Sequence, residues 1–183
     1  MKPLKESSFE LFFSDEMRYG LISNFRRSWS KIGKRTIIDS QQSYENRYLF
    51  SAVSPLSGNS FHLSGIDGFD TEAAHAFLLE LKKQHRDKVV IVVWDNAPCH
   101  RPKIHRDIPG LIVLFLPPYS PELNPAERFF EELRKATANH IFKTIEDQEK
   151  AIEEKLNRLT DDVEGMKQLI GYEWILKQCA EVN

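Results

Sequence analysis

Three acidic residues lie beside apolar segments of the chain, and together they could bind divalent metal ions. They are Asp15, Asp95 and Glu127. Carboxylates that lie close together repel one another and cannot all stay ionised without compensation. Mg²⁺ provides that compensation, because it takes oxygen ligands and keeps coordination positions free for water and substrate phosphates. If the segments that carry them are neighbours, the three residues suit a two-metal site for phosphodiester chemistry.

Each of these carboxylates also has an explanation that needs no metal. Glu127 and Asn124 match a capping box at the start of a helix. Asp95 could end a strand in a turn, with its side chain bonded to nearby backbone amides. Asp15 could form an ion pair with Arg18. The spacing of the residues leaves these interpretations open.

Two apolar segments would position the second and third carboxylates. Segment 89–93 is apolar at every position, which is typical of a central strand covered on both faces. Asp95 follows it and would lie in the crevice at the end of that strand. The apolar segment 111–116 ends before two prolines, which cannot continue a strand. Asn124 then fits the N-cap of a helix that carries Glu127 in its first turn.

The other segments predict one α/β domain. Alternating or apolar segments indicate three earlier strands, and periodic apolar positions indicate helices before, between and after the two central strands. The predicted strands are 8–15, 47–52 and 60–63, and the predicted helices are 70–84, 101–108, one that starts at Thr144, and 163–179. This order fits a mixed sheet with helices on both faces. The three carboxylates would converge if the first and fourth strands are neighbours.

Composition excludes membrane-spanning and disulfide-rich secreted classes. The 183 residues suffice for one covered core, and contents of 41% hydrophobic and 28% charged residues are typical of a soluble globular protein. Cys99 and Cys179 match no zinc or redox spacing, which favours free thiols and a cytoplasmic location. No apolar segment reaches the roughly 20 residues of a membrane helix. The N-terminal residues have no signal-peptide core.

Positive charge is concentrated near the start of the chain, although the net charge is −2. Residues 144–183 carry 10 acidic and 5 basic side chains, so the part with the three carboxylates is mildly basic. Between Met17 and Ile38 the basic residues are Arg18, Arg26, Arg27, Lys31, Lys34 and Arg35, and no acidic residue occurs there. This cluster is either a solvated loop or a surface that contacts nucleic-acid phosphates.

Two blocks of the sequence resemble a known family. Residues 92–100 (VVWDNAPCH) and 116–127 (LPPYSPELNPAE) are similar to the catalytic core of mariner-like insertion-sequence transposases, members of the DDE endonuclease superfamily. The upstream FSDE of 13–16, with the following YG of 19–20, resembles the segment that carries the first aspartate of that family. The resemblance covers roughly residues 9–143, which is most of the chain.

The resemblance implies a ribonuclease-H-like fold, with a mixed five-stranded sheet and helices on both faces. Residues 1–143 would form the catalytic core and residues 144–183 a C-terminal helical extension packed on it. Asp15, Asp95 and Glu127 would bind two Mg²⁺ ions, with Mn²⁺ as a substitute, and Asp15 would bridge both ions. The enzyme would hydrolyse a phosphodiester at a transposon end and join the freed 3′-hydroxyl to target DNA, commonly at a TA step.

The resemblance also implies contacts with DNA and with a second subunit. The six basic residues and Lys103 would follow the phosphates, while Asn96, His100 and Tyr119 would border the active site. A homodimer is expected because transposition joins two ends. The place of action would be the cytoplasm of a prokaryotic cell, on the nucleoid.

The chain departs from full-length members of the family, which carry helix-turn-helix segments before the catalytic core. We therefore expect an excised domain, a split-frame product completed by frameshifting or by a separate helix-turn-helix polypeptide, or a decayed element. Two other functions compete with transposition. One is an inactive or regulatory DNA-binding partner of a full-length transposase, and the other is a small-molecule phosphohydrolase that uses the same metals.

Overall fold

The computed structural model describes residues 9–101, 105 and 107–181, and its elements follow the predicted order. The strands are β1 (Phe9–Ile22), β2 (Gln42–Val53), β3 (Ser60–Ile66), β4 (Val89–Trp94) and β5 (Leu111–Phe115). The helices are α1 (Thr71–Gln84), α2 (Pro125–Thr137), α3 (Ile145–Thr160), α4 (Val163–Ile170) and α5 (Glu173–Glu181). In this part of the chain, none of the helices is both long and apolar enough to cross a lipid bilayer.

The five strands form one mixed sheet in the order β3-β2-β1-β4-β5. Strands β1, β2 and β3 are successive antiparallel neighbours. Strand β4 runs parallel to β1, and β5 runs parallel to β4. The prediction that the first and fourth strands are neighbours is therefore confirmed.

Helices cover both faces of the sheet, as predicted, because β1 and β2 bury apolar residues on both faces. The layer beneath α1 contains Phe12, Phe50, Ala52, Phe61, Ala74, Phe77, Leu78, Leu81, Val90, Val92 and Trp94. The layer beneath α2, α3 and α4 contains Met17, Tyr19, Leu21, Leu49, Val53, Phe129, Phe130, Leu133, Ile145, Ile152, Leu156, Met166 and Ile170. The sheet is thus the middle layer of three.

The first strand is longer than predicted. It extends to Ile22, so the predicted end of this strand at Asp15 is wrong. Polar residues from position 14 onward break the apolar alternation in the sequence. Met17, Tyr19 and Leu21 nevertheless continue the buried face under α2, and β2 remains paired with β1 along this half of the strand.

The predicted helix at 163–179 is two helices. Helix α4 ends at Ile170, and the backbone N–H of Gly171 donates to the Lys167 carbonyl. A Cβ at Gly171 would lie 2.3 Å from that carbonyl oxygen, so the chain turns at a position that only glycine fits.

The predicted short helix at 101–108 lies partly outside the described residues, because 102–104 and 106 are not among them.

The C-terminal helices α3 and α4 contribute to the same apolar layer as α2, and a partly exposed ion pair also connects α3 to the sheet. Glu149 accepts a hydrogen bond from the Tyr19 hydroxyl at 2.8 Å and pairs with Arg47 at 2.5 Å. Arg47 also pairs with Glu146 at 2.8 Å. These contacts fix α3 across β1 and β2, and the boundary after residue 143 stays a prediction.

Replacing Ile152 tests whether α3 is part of the folded core. Ile152 is 1% exposed, and Ile152→Ala should lower the free energy of unfolding by about 2–5 kcal/mol, because it removes buried methyl groups and leaves a cavity. Ile37 is 90% exposed, so Ile37→Ala should change stability by no more than about 0.5 kcal/mol. Urea denaturation measures both. Equal losses in the two variants would contradict this packing.

Candidate active site

Asp15 and Asp95 lie at matching positions beyond the last pair of the parallel β1–β4 ladder. That ladder ends at the pair Phe13 and Val93. Asp15 lies two residues after Phe13, and Asp95 lies two residues after Val93. Side chains two positions apart in a strand point to the same face of a sheet. Asp15 therefore shares the face of Met17, which is the face that α2 covers.

The Asp15 carboxylate is largely buried and has few compensating partners. Its Oδ1 accepts a hydrogen bond from the Glu16 backbone N–H at 2.8 Å, and its Oδ2 lies 3.4 Å from the Asn124 amide nitrogen. Burial raises the pKa of Asp15 to about 7, with further contributions from the negative charges of Glu16, Glu127 and Asp95. The Asp15 carboxylate therefore lies among other negative charges that a bound cation would compensate.

The ion pair between Asp15 and Arg18, one of the interpretations that the sequence leaves open, is not formed. The two residues are three positions apart in β1, so their side chains point to opposite faces of the sheet. Arg18 is exposed.

The Asp95 side chain is 52% exposed and bonded within its own loop. Its Oδ1 accepts from the Ala97 backbone N–H at 3.1 Å and from Nδ1 of His100 at 2.5 Å. The hydrogen bond from His100 is the main reason that the pKa of Asp95 is lowered. The turn interpretation is thus correct for the Ala97 contact, but it leaves the second carboxylate oxygen of Asp95 available.

Helix α2 is capped by Asn124 alone, and the capping box expected from Glu127 is not formed. Asn124 Oδ1 accepts from the Ala126 N–H at 3.1 Å. The backbone N–H of Asn124 donates to the Pro121 carbonyl at 3.0 Å, so it is not the partner of Glu127. The Glu127 carboxylate instead lies 3.4 Å from Nη1 of Arg134. Capping therefore does not account for Glu127.

Asn124 also attaches the start of α2 to β1. Its side-chain nitrogen donates to the Ser14 carbonyl at 3.0 Å, and the residue is 2% exposed. Ser14 in turn donates through its hydroxyl to the Ser51 carbonyl at 2.9 Å. The first turn of α2, which contains Glu127, is thereby held beside Asp15.

The three carboxylates face one cleft of about 450 Å³ at the end of β4. The residues that line it are Asp15, Asp95, Asn96, Ala97, Arg101, Leu116, Pro117, Pro118, Tyr119, Ser120, Pro121, Asn124 and Glu127. The cleft is therefore formed by the two sequence blocks, by Arg101 and by Asp15 of β1.

The oxygen donors of this cleft are of the kind that a hard divalent cation binds. In this structure, however, they are not yet arranged as a closed coordination shell. Carboxylate and amide oxygens are the ligands that Mg²⁺ and Mn²⁺ prefer. In the residues that the structure describes, no group of three or more His, Cys, Asp or Glu side chains is arranged to hold a metal ion. Glu127 is turned toward Arg134, and both are partly exposed. Such exposed pairs are weak, so rotation of Glu127 toward Asp15 costs little.

His100 is buried, and its predicted DNA contact is therefore corrected. The side chain has 0% exposure and lies between Asp95 and Glu16. Burial alone would lower the pKa of His100, but the hydrogen bond to Asp95 and the interaction with Glu16 outweigh it and raise the pKa to about 9. Trp94 and Phe69 pack against the ring, which the sequence pattern did not reveal.

Five of the six basic residues of the predicted phosphate-binding cluster lie in the connection between β1 and β2. Residues 23–41, here called the basic arm, form no helix or strand. Its exposed cationic side chains are Arg27, Lys31, Lys34 and Arg35. Arg26 differs, because it pairs with Glu131 of α2 at 2.7 Å. The sixth residue, Arg18, lies within β1.

The base of the arm is fixed to the end of α2 by Asn139. The Asn139 side chain accepts from the Arg26 N–H at 2.9 Å and donates to the Arg26 carbonyl at 3.1 Å. Its backbone N–H donates to the Asn24 carbonyl at 2.8 Å, with φ of 60°. The arm is thereby anchored beside the helix that carries Glu127.

The other predicted DNA contacts have separate outcomes. Tyr119 is fully exposed at the cleft, with φ of 58°. Asn96 lines the cleft, and its carbonyl and side-chain oxygens accept from Nε of Arg101 at 3.0 and 2.7 Å. Lys103 lies outside the described residues. DNA contacts of Tyr119 and Asn96 stay predictions.

Sequence reasoning missed Arg101 and Glu16. Arg101 directly follows the VVWDNAPCH block and lines the cleft. Glu16 lies next to the first aspartate, and its side chain is 6% exposed. Adjacency to the two motifs was the available signal for both residues.

Comparisons with known proteins identify the family. A model of the DDE superfamily endonucleases matches residues 10–149, so the chain belongs to that family. A curated relative, the uncharacterized protein y4pE/y4sA of Sinorhizobium fredii (strain NBRC 101917 / NGR234), is 38% identical over 104 residues, which cover 55% of this chain and 75% of that protein. The predicted family membership is confirmed.

Solved structures show that the fold is ribonuclease-H-like. The Mos1 strand transfer complex matches with a TM-score of 0.59 and 19% identity, over 89% of this chain and 55% of that one. The mariner Mos1 paired-end complex with Mg matches with a TM-score of 0.63 and 20% identity, over 88% and 51%. The HTLV-2 integrase catalytic core domain in complex with magnesium matches with a TM-score of 0.50 and 10% identity, over 80% and 82%. The chain thus spans about half the length of the Mos1 chains.

Two substitutions of Asn124 separate capping from attachment to β1. Asn124→Asp keeps the oxygen that caps Ala126, loses the donor to Ser14 and adds a carboxylate beside Asp15, and Asn124→Ala loses both the cap and the donor. Leaving a buried carbonyl unpaired costs about 1–3 kcal/mol, and losing a cap costs about 0.5–2 kcal/mol. In urea denaturation, we expect both variants to have a lower free energy of unfolding than the wild type. In Asn124→Ala, the lost cap contributes to this decrease as well. Wild-type stability of Asn124→Asp would show that the bond to Ser14 contributes nothing.

Proposed function

We propose that this chain is the catalytic domain of a metal-dependent transposase. It cleaves phosphodiesters at transposon ends and joins the freed 3′-hydroxyl to target DNA. The observation that carries the proposal is the alignment of Asp15 with Asp95 beyond the β1–β4 ladder, in the cleft that Glu127 also lines. The raised pKa of Asp15 supports it, because neighbouring carboxylates that lack compensation favour a bound cation.

The proposed ligands are Asp15, Asp95 and Glu127, which would hold two Mg²⁺ ions or Mn²⁺ in their place. Ions bound there would activate the attacking oxygen and stabilise the leaving oxygen. Solved relatives with this fold include a Mos1 paired-end complex with Mn and one with Mg. That chemistry suits a cleft whose donors are oxygens.

The residues of the cleft would orient the DNA through two displacements. In the first, a water oxygen attacks phosphorus and the P–O3′ bond breaks, which leaves a 3′-hydroxyl and a 5′-phosphate. In the second, that 3′-hydroxyl attacks a phosphodiester of the target, commonly at a TA step, and releases the target's own 3′-oxygen. Arg101 would bind a phosphate beside the reacting one, because Asn96 holds its Nε and, among the described residues, neither terminal nitrogen has a partner. Tyr119 would contact the strand at the cleft mouth.

The basic arm and Arg18 would contact the phosphates that flank the cleft. The exposed cationic side chains of Arg27, Lys31, Lys34 and Arg35 suit binding that depends on counterion release. The active complex would be a homodimer, and recognition of the transposon end would need helix-turn-helix segments on a separate polypeptide or a frameshift fusion. Two similar solved structures are described as a Mos1 strand transfer complex and a Mos1 paired-end complex with a transposon end. These descriptions support DNA as the substrate.

Replacing Asp95 tests the catalytic assignment. Purified protein with Mg²⁺ or Mn²⁺ should nick DNA that bears the ends of its own element, and Asp95→Asn should reduce nicking by more than about 100-fold, the upper range seen for residues that only support metal ligands. Asp87→Asn, an exposed carboxylate before β4, is the matched control. Undiminished nicking by Asp95→Asn would refute the ligand set. Salt-dependent DNA binding without nicking in the wild type would instead favour a regulatory partner.

The basic arm can be tested by the salt dependence of DNA binding. Replacing Arg27, Lys31, Lys34 and Arg35 with alanine should flatten the plot of log K against log salt by about 0.9 for each phosphate contact that is lost. Fluorescence anisotropy with duplex DNA at several salt concentrations measures this slope. The control pair is Arg158→Ala and Lys177→Ala, whose side chains are 74% and 70% exposed on the acidic helices. An unchanged slope in the arm variant would place the DNA elsewhere.

A further inference from the structure

The imidazole ring of His100 lies between two carboxylates from different parts of the chain. Nδ1 is 2.5 Å from Oδ1 of Asp95, and Nε2 is 3.2 Å from Oε1 of Glu16. The Asp95 contact is a hydrogen bond, whereas the Glu16 contact has an ion-pair distance without hydrogen-bond alignment. His100 therefore connects the loop after β4 to the middle of β1.

Aromatic side chains fix the orientation of this ring. The Trp94 ring stacks on it with centroids 3.9 Å apart and an angle of 21° between the planes. The edge of Phe69 contacts it at 5.5 Å and 83°. With 0% exposure, the ring cannot leave this position without opening a cavity. Its nitrogens are thus held at fixed places beside Asp95 and Glu16.

Glu16 gives the ring an attachment to the strand that carries Asp15. Neighbouring residues of a strand point to opposite faces, so Glu16 lies on the α1 face and Asp15 on the α2 face. The side-chain contacts from Glu16 through His100 to Asp95 therefore cross the edge of the sheet. They attach the half-exposed Asp95 side chain to the strand residue next to Asp15.

We infer that His100, supported by Glu16, is a positioning residue that holds the Asp95 carboxylate in place for the divalent cation shared with Asp15. The inference rests on the proposed function, because that function makes Asp95 a metal ligand. A buried ring cannot contact DNA or solvent in this position, so its effect passes through Asp95. Groups that orient metal ligands in this way commonly change metal affinity 10- to 100-fold.

The test measures Mn²⁺ affinity in the absence of DNA, from the electron paramagnetic resonance signal of free Mn²⁺. His100→Phe keeps the stacking on Trp94 and removes both nitrogens, and we expect it to weaken Mn²⁺ binding about 10- to 100-fold. His105→Phe is the matched control, because His105 is also buried in the β4–β5 connection but contacts the Cys99 carbonyl. We expect it to bind Mn²⁺ like the wild type.

Two further variants keep the test valid if His100→Phe does not fold, which far-UV circular dichroism would reveal. His100→Asn places an amide nitrogen near the position of Nδ1 and should keep the contact with Asp95. His100→Gln places its amide nitrogen near Nε2, so it keeps the contact with Glu16 and loses the one with Asp95. We expect His100→Gln to bind Mn²⁺ about tenfold more weakly than His100→Asn. Equal affinities would overturn the inference.

The remaining outcomes separate this inference from the proposed function. If the wild type binds no Mn²⁺ at millimolar concentration, the proposed metal site fails and the inference fails with it. If Asp95→Asn loses Mn²⁺ but His100→Phe binds like the wild type, the metal site stands and the positioning role is overturned. Tighter binding by His100→Phe would also overturn it, because the ring would then act only by repelling the cation.

Discussion

The parallel pairing of β1 with β4 is the constraint on which the site depends. The pairing ends at Phe13 and Val93, and this register brings Asp15 and Asp95 to equivalent positions at the edge of the ladder. A shift of one residue would turn one of the two carboxylates to the other face of the sheet. The order of strands, the crossover through α1 and the docking of α2 by Asn124 all serve to place groups around this point.

Gathering carboxylates at this point has an electrostatic cost, which the protein offsets unequally on the two faces of the sheet. On the α1 face, the buried His100 lies between Asp95 and Glu16. On the α2 face, Asp15 contacts an amide and, among the described residues, no cationic side chain, and its pKa rises to about 7. Glu127, which also lines the cleft, is paired with Arg134 of the same helix. The uncompensated charge thus faces the open cleft, where a divalent cation can enter from solvent.

The sequence predicts the order of elements and the family because these depend on local patterns. Continuous apolar segments define β4 and β5, and Asn124 before Pro125 defines the start of α2. The length of β1 and the break at Gly171 are not predictable in the same way, since each depends on contacts with distant residues. The burial of His100 and the absence of a capping box at Glu127 likewise follow from tertiary packing that no spacing reveals.

The most direct measurement is anomalous X-ray diffraction from crystals of this chain soaked in Mn²⁺. We predict anomalous density in the cleft, within coordination distance of both Asp15 and Asp95, with the Glu127 side chain turned away from Arg134 toward the ion. Density bound elsewhere, or an empty cleft in crystals that hold Mn²⁺ at other carboxylates, would contradict the claim that these residues share one metal site.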